Sequence, residues 1–561
     1  MSTRSIRSTY DAEACTVPSR KPARGRLAAA LALALMGASV SAAEYNAGTE
    51  AQLVQAINDA NAHAGFDQIH ITADITLTQA LPLISDALAI RGSGGRRAIR
   101  RDDTGANACS PTAKNAFRLL DASADLTLQD LALSGGCTLV DQGGAVRVQH
   151  AALRLENSTV TGNQTFVDNP NYYYGVGVGG GIAVLYGSLA VVDSVVSGNA
   201  THGNLAGGGG AAAFFSDLQV ARSTISGNQT NGPGAYGGGI YVGSYPVLAS
   251  VIVSDSVFAN NSTSGAYANG GGLAAFNVAS TIVASQFTGN RVSGYVDDRG
   301  GGINIVTSSS ATTSIERCTI SNNSISTSDS AWGAGLRVGG GLISISSSSV
   351  FDNRIDAGYK ARGGGMWFEV ADATLTNTTV SGNVISGSSV QGGGLAIISE
   401  APRLMTLAVY NSTIAGNEAN GGIGGGLAIK MQTDDSVPPA VDFESTILAG
   451  NLGQGGLDDV AASVDAAGTV VARHSLIQGS VDVGAGTYTP DATTLALAGQ
   501  APLLLPLADN GGPTLTQAPA AGSPAINRGT NARGLLFDQR GPGHPRAFGG
   551  VADIGAFERK P

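Results

Sequence analysis

Charged side chains are scarce in this chain: Asp, Glu, Lys and Arg make up 13% of its 561 residues, and aromatics add only 5%. With a net charge of −10, no basic stripe is available to neutralise nucleic-acid phosphates or anionic lipid, so neither is expected as a partner. The four cysteines are too few for a disulfide-dense scaffold. The six histidines (His63, His70, His150, His202, His474 and His544) show neither HxxxH nor HExxH spacing, and there is no metal motif. A G-x-S-x-G elbow for a serine nucleophile is also missing. Past residue 43 no apolar run is long enough to span a bilayer as a helix. What abounds is glycine, 80 residues without a triplet period, which excludes collagen. The apolar fraction of 43% excludes disorder. Glycine mixed with short apolar runs points to many turns joining many strands.

The N-terminus has the pattern of an export signal. Arg20, Lys21, Arg24 and Arg26 precede the apolar run 27–40, and the small residues Ser41, Ala42 and Ala43 follow. Cleavage near Ala42 removes six basic and two acidic residues, which takes the net charge from −10 to −14. An exported chain meets an oxidising compartment, where Cys109 and Cys137, in successive loops, are placed to form a disulfide.

Internal repetition dominates the rest. NSTVTGN (157–163), DSVVSGN (193–199), RSTISGN (222–228), DSVFANN (255–261) and SQFTGN (285–290) recur. They continue as RCTISNN (317–323), SSSVFDN (347–353), NTTVSGN (377–383), NSTIAGN (411–417) and STILAGN (445–451). Three residues before each closing Asn stands an apolar residue (Val160, Val196, Ile225, Phe258, Phe287 and so on). Five before it stands a small one, Ser or Thr in every coil except for Cys318, and eight before it another apolar one. Positions −5 and −3 share one face of an extended strand, and −8 falls on a preceding strand. Cys318 thus occupies a small inward column as a Ser-like filler.

One Asn per coil at one surface turn allows a ladder of side-chain amides, a structural role, and Asn also tolerates the left-handed backbone of a turn. After a loop comes a glycine cluster with an alternating apolar pair, as in GGGIAV (179–184), GGGINI (300–305) and GGGMWF (363–368). The glycines suit a bend packed closely on neighbouring coils. A phosphate-loop reading fails because they recur in nearly every coil and open no helix. Each unit supplies about three short strands that cannot be buried alone, so the coils must stack. The expected fold is all-β, a right-handed single-stranded parallel β-helix; a propeller, with its longer blade period, is the alternative. An amphipathic segment 49–61, with Leu53, Ala56, Ile57 and Ala60 on one face, is expected to be a short helix plugging the first coil. The organisation expected is a signal peptide over 1–43, an N-terminal cap and first coils over 44–120, the repeat domain over 121–480 and a C-terminal cap over 481–561.

The GGG-I and S-T-I-x-G-N tags resemble those of bacterial right-handed β-helix proteins of the pectate-lyase-like superfamily. They are also reminiscent of the repeats of chlamydial polymorphic outer membrane proteins. The tail, LADNGGPTLTQAPAAGSPAINRG (507–529), DQRG (538–541) and ADIGAFE (552–558), is similar to the choice-of-anchor Q domain that ends many exported bacterial β-helix proteins. The resemblance covers nearly all of the chain after residue 43. It implies the fold and export to the periplasm, the medium or the cell surface, but no agreed activity. Members often continue into an anchoring element, whereas this sequence stops at Arg559-Lys560-Pro561, so the mode of attachment stays open.

Loops between Asn and glycine share one side of the rod and carry Tyr172, Tyr173, Tyr174, Tyr236, Tyr267, Tyr295, Trp332 and Tyr359. Exposed aromatics stack on sugar rings, so a face binding glycans or surfaces, as in an adhesin, is the favoured function; packing of each Tyr on the adjacent loop is the alternative. The enzymatic alternative is a polysaccharide lyase or glycoside hydrolase. A lyase would hold Ca²⁺ on carboxylates and remove a proton α to a uronate carboxyl with Lys or Arg. Its candidates are Asp297, Asp298 and Arg299 in one loop and Lys360 and Arg362 two coils later; a hydrolase would pair Asp297 and Asp298 with Asp356. Outside the lyase case no cofactor is implied. In the tail, Asp538, Arg540, Asp553 and Glu558 are expected to pair, with Ca²⁺ as the other option. The oligomeric state and the ligand are not legible.

Overall fold

The computed structural model describes residues 42–139, 141–167, 178–308, 310–369, 372–399, 405–431, 440–462 and 469–560. The expected export signal up to residue 41 lies outside these residues. The chain is an all-β parallel solenoid, built from a 16-stranded, a 15-stranded and a 24-stranded sheet with a four-stranded sheet beside them. Equivalent strands of successive coils pair in parallel and in register. Leu155 faces Val191, which faces Val220 in the first sheet, and Val160, Val196 and Ile225 follow one another in the second. The −8 and −3 columns therefore line one continuous apolar interior, which runs from Leu53 to Ile477. No coil could bury these residues alone, so stacking and folding are the same event.

The expectation of about three strands per coil is one short. Past the closing Asn, segments such as Gln229–Asn231 and Ser262–Ser264 pair from coil to coil as a further ladder. In four coils a fifth piece is added, Asp298–Arg299, Ala331–Trp332, Lys360–Arg362 and Ser389–Gln391, which make the side sheet. Several of the pieces past the Asn place only one residue inward, for example Thr230, Thr263, Val292 and Ile385. One residue per coil is too little alternation for a strand to be recognised.

The Asn column also sits differently from the expectation of a surface turn. Asn163, Asn199, Asn228, Asn261, Asn290 and Asn323 are fully buried. Each amide oxygen accepts two bonds from the preceding coil: Asn228 Oδ1 takes Asn199 N at 3.1 Å and Asn199 Nδ2 at 3.0 Å. Each amide nitrogen also donates to a backbone carbonyl, as Asn228 Nδ2 does to Val196 O at 2.9 Å. The file begins at Gly136 N, which donates to Asn163 Oδ1, and ends where Asn451 Nδ2 donates to the buried Asp459. The left-handed residue is the one before the Asn: Gly162, Asn260 and Asp352 have φ of 66°, 55° and 53°. Gly, Asn and Asp tolerate that region best. The third residue of each glycine cluster lies against the same file. A Cβ on Gly239 or Gly302 would stand 3.1 or 2.9 Å from the amide carbon of Asn261 or Asn323.

The small −5 column is a second ladder. Ser158 N donates to Ser194 Oγ at 3.0 Å and Ser194 N to Ser223 Oγ at 3.0 Å, coil after coil. Cys318 lies in that file, fully buried.

At the N-terminal end the helix Glu50–Ala62, the only α-helix among the described residues, inserts Leu53, Ala56, Ile57 and Ala60 into the core. Thr49 caps it by accepting from Gln52 N. Cys109 and Cys137 are joined by a disulfide with Cα atoms 5.7 Å apart. At the other end the tail does not simply continue the stack. It turns back along the outer face of the 15-stranded sheet, where Leu515 O accepts from Ser349 Oγ, Gln539 Oε1 from Thr379 Oγ1 and Thr530 O from Asn411 Nδ2. Ser349, Thr379, Thr413 and Ile447 are buried beneath it, while the equivalent Thr159, Thr224 and Gln286 of earlier coils face solvent at least in part.

Candidate functional site

The side sheet and the sheet that follows the glycine clusters meet along a seam, and two files of side chains line it. On one side, Tyr236, Asn269, Arg299, Trp332, Arg362, Gln391 and Ile423 follow one another in register. On the other run Ala183, Ala212, Tyr241, Ala274, Asn304, Arg337, Trp367, Ala396 and Ala428. The files touch. The rings of Tyr236 and Tyr241 are 5.7 Å apart and those of Trp332 and Trp367 are 5.9 Å apart. Arg299 lies over the Trp332 ring at 5.2 Å and Arg337 over the Trp367 ring at 5.1 Å. Glu369 pairs with Arg337. Stacked guanidinium and indole faces attract through the ring quadrupole, more strongly where water is excluded.

The tyrosines expected on the loop face divide into groups. Tyr172, Tyr173 and Tyr174 lie outside the described residues. Tyr267, Tyr295 and Tyr359 are exposed at the loop tips, at 53%, 53% and 50%. Their coils span four turns of the stack, since Tyr267 N donates to Val296 O and Tyr359 N to Asp329 O. Tyr236 instead is half-buried against Tyr241 and Phe276, and Trp332 is 8% exposed in the seam. These two residues were expected to be exposed. The fifth strand turns Trp332 towards Trp367, and Tyr236 precedes a glycine cluster that holds it against the sheet.

The acidic and basic candidates also separate. Asp298 is fully buried and its Oδ1 accepts from Ala268 N at 2.9 Å. Burial pushes its carboxyl up to about 7, against hydrogen bonds from Thr327 and Ala268 that favour ionisation; Asp297 and Asp329 push it the same way as burial. Asp297 is also raised, by burial first and by Asp329, while Arg299 and Lys360 pull it down. Asp297, Asp329, Arg299 and Lys360 thus share one field. Lys360 rests its ammonium over the Tyr359 ring at 4.9 Å, and Arg362 is buried in the seam next to Trp332. Asp356, the third carboxylate of the hydrolase reading, stands on another strand and accepts from Ser386 at 3.2 Å. The third carboxylate beside Asp297 and Asp298 is Asp329, which raises both. Among the described residues no three His, Cys, Asp or Glu side chains gather to hold a metal ion, and no helix is long and apolar enough to cross a membrane.

In the tail, Arg540 pairs with Asp538 at 2.6 Å, and Arg546, which the sequence did not single out, pairs with Glu558 at 3.1 Å. Both pairs are buried and hold the returning tail in shape. Cys318 carries a thiol that burial pushes up to about 11, so it is not a thiolate at neutral pH.

Sequence reading missed Asn304, Arg337, Trp367, Glu369 and Asp329. A signal for three of them was present. In the motif GGG-Φ-x-Φ the residue x is Ala in coils 183, 212, 274, 396 and 428, and Asn304, Arg337 and Trp367 interrupt that run together. In comparisons with protein-family models, curated proteins and solved structures nothing matches this chain, so its own residues carry the functional argument.

Proposed function

We propose that this is an exported binding protein whose loop face engages glycans at a surface. The observation that carries the reading is the set of exposed tyrosines, Tyr267, Tyr295 and Tyr359, on coils that the solenoid holds in fixed register. A rigid rod presents such rings without paying ordering entropy on binding, and a flat aromatic face suits the apolar side of a sugar ring. Export rests on the basic and apolar leader before Ala42 and on the resemblance of 507–558 to choice-of-anchor Q tails. Those tails end many exported β-helix proteins of the pectate-lyase-like superfamily. The triple variant Tyr267→Ala, Tyr295→Ala, Tyr359→Ala tests the face on a glycan array. Loss of about tenfold or more in affinity, roughly 1.4 kcal/mol, is the expected result, with the thermal midpoint unchanged because the rings are half exposed. Binding equal to that of the parent chain rejects the face.

The polysaccharide-lyase reading keeps one observation in its favour: Arg299 and Lys360 both favour the charged form of Asp297. Unsaturated product, followed by its ultraviolet absorbance after incubation with several uronans and Ca²⁺, decides it. No absorbance change with any of them removes it.

A further inference from the structure

We infer that the seam between Arg299 and Glu369 is an anion subsite that takes the carboxylate or sulfate group of a sugar. The inference rests on the glycan reading above and names what part of the ligand enters here. Three N–H donors in the seam have no partner: Arg299 Nε, Asn304 Nδ2 and Trp367 Nε1. Asn304 and Trp367 are buried. The Asn304 amide cannot turn to remove the mismatch, because its Oδ1 accepts from Arg337 Nη1 at 3.3 Å. Buried donors left unpaired cost free energy, and a native chain keeps them where something else supplies the acceptor. Between Arg299 and Glu369 these three unpaired donors ask for a group rich in acceptors; the unpaired acceptor Gln391 Oε1 lies one coil beyond Arg362 in the same file.

Charge and geometry give the same answer. Arg299, Arg337 and Arg362 stand on the two files, and Glu369 is the carboxylate that pairs with Arg337. Arg299, over the Trp332 ring, can offer its guanidinium edge to an acid group, while Arg337, over the Trp367 ring, already holds Asn304 and the Glu369 carboxylate. Glu369 is itself a carboxylate seated on Arg337, so the seam already holds the chemistry proposed for its ligand. Its side chain is 19% exposed and Arg299 is partly exposed, so these two residues stand at the solvent edge of the seam. An incoming carboxylate or sulfate takes the place of Glu369 on Arg337 and meets the donors of Arg299, Asn304 and Trp367. The coil itself does not require these residues, since alanine fills the same file in five other coils.

The chain has two tryptophans, Trp332 and Trp367, and both line the seam, so fluorescence excited selectively in tryptophan over the 14 tyrosines reports this site. The purified chain is titrated with an oligouronate tetrasaccharide, a sulfated tetrasaccharide, cellotetraose and sodium sulfate. The expected result is a saturable change with one or both acidic sugars that weakens as salt is raised, with little response to cellotetraose. Arg299→Ala weakens it about tenfold and Glu369→Gln, which frees Arg337 from its internal carboxylate, tightens it. Circular dichroism checks both variants for fold, and the Glu369→Gln arm decides the matter should Arg299→Ala not fold. Equal response to cellotetraose, or an unchanged midpoint in Glu369→Gln, overturns the subsite. A sodium sulfate response at the same concentrations makes a free anion the occupant and overturns the sugar-borne assignment. Array binding lost in the tyrosine triple variant without any tryptophan response keeps the glycan face and removes the subsite. Neither array binding nor a tryptophan response removes both.

Discussion

Two buried files of side chains run along the same coils, and they differ in one respect. The closing Asn is the same residue in ten coils, each amide bonded to the next until Asp459 ends the series. The file after the glycine cluster is alanine in most coils and becomes Tyr241, Asn304, Arg337 and Trp367 in the middle of the rod. The uniform file satisfies its own hydrogen bonds. The broken one leaves donors without acceptors. In a solenoid every coil faces the same packing problem, so a uniform column states how the coil closes. A column that departs from its own rule in neighbouring coils answers to something other than closure.

The largest effect expected from this contrast is at Asn323. Asn323→Leu removes the acceptor of Asn290 N and Asn290 Nδ2, both at 3.0 Å, and the donor to Phe287 O at 2.9 Å. Leaving several buried groups unpaired is expected to cost roughly 3–5 kcal/mol. Asn304→Ala, which only restores the rule of the other file, should cost less than about 1 kcal/mol. Urea midpoints followed by circular dichroism compare the two. Hydrogen exchange should place the Asn323 damage in the coils on either side, because each coil touches only its neighbours. Equal losses at the two sites would erase the distinction between the files.

A smaller effect separates Asp298 from its own column. In the register of the side sheet Asp298 stands where Ala331, Ala361 and Val390 stand in later coils. Its folded carboxyl is raised to about 7 by burial, with Asp297 and Asp329 adding to the rise. Between its ordinary value near 4 and about 7 the folded chain holds a proton that the unfolded chain has released, so stability falls as pH rises through that window. Above it the loss is complete and flat. Asp298→Asn cannot ionise. Its thermal midpoint should match the parent at pH 4 and exceed it at pH 8, by an amount equivalent to roughly 2 kcal/mol. A parallel pair of curves across this range would mean that Asp298 is ionised throughout.

Much of the fold was legible because apolar and small residues recur at fixed distances from the Asn. The inward positions −8, −5 and −3 follow from that spacing, and the plugging helix follows from its own apolar face. Two features were not legible for a physical reason. A residue's column does not say whether it faces the core or the solvent when the strand is two or three residues long. The Asn file was therefore assigned to the surface, and the ladder after it was not seen. The site was less legible still. Tyr267, Tyr295 and Tyr359 are at loop tips, as their neighbours Gly265, Gly294 and Gly358 suit. Trp332 was grouped with them by loop position and Arg362 was placed in a loop with Lys360 as a lyase candidate, yet the side sheet turns both into the seam. Their partners Arg337 and Trp367 come from another strand, and only the register of two sheets brings them together.

The smallest effect tests whether the −5 file follows the same rule as the Asn file. Elsewhere its hydroxyls accept from the backbone of the preceding coil and donate locally, as Ser256 Oγ does to Ser254 O at 2.7 Å. In Cys318 a thiol replaces the hydroxyl, with Sγ 3.3 Å from Glu316 O and 3.5 Å from Ile282 O, while Cys318 N still donates to Ser348 Oγ. Sulfur is a weak acceptor and a weak donor, so this coil is the poorest link of the file. Cys318→Ser restores the hydroxyl that the neighbouring coils use, but it gives up the larger apolar volume of sulfur. These effects oppose each other, and the net change should be a stabilisation of about 1 kcal/mol or less. A thermal midpoint raised by a degree or two, with no change in ligand response, is the expected outcome. A loss larger than that of Asn304→Ala would show that this coil has adapted its packing to sulfur, and that the small file obeys volume rather than hydrogen bonding.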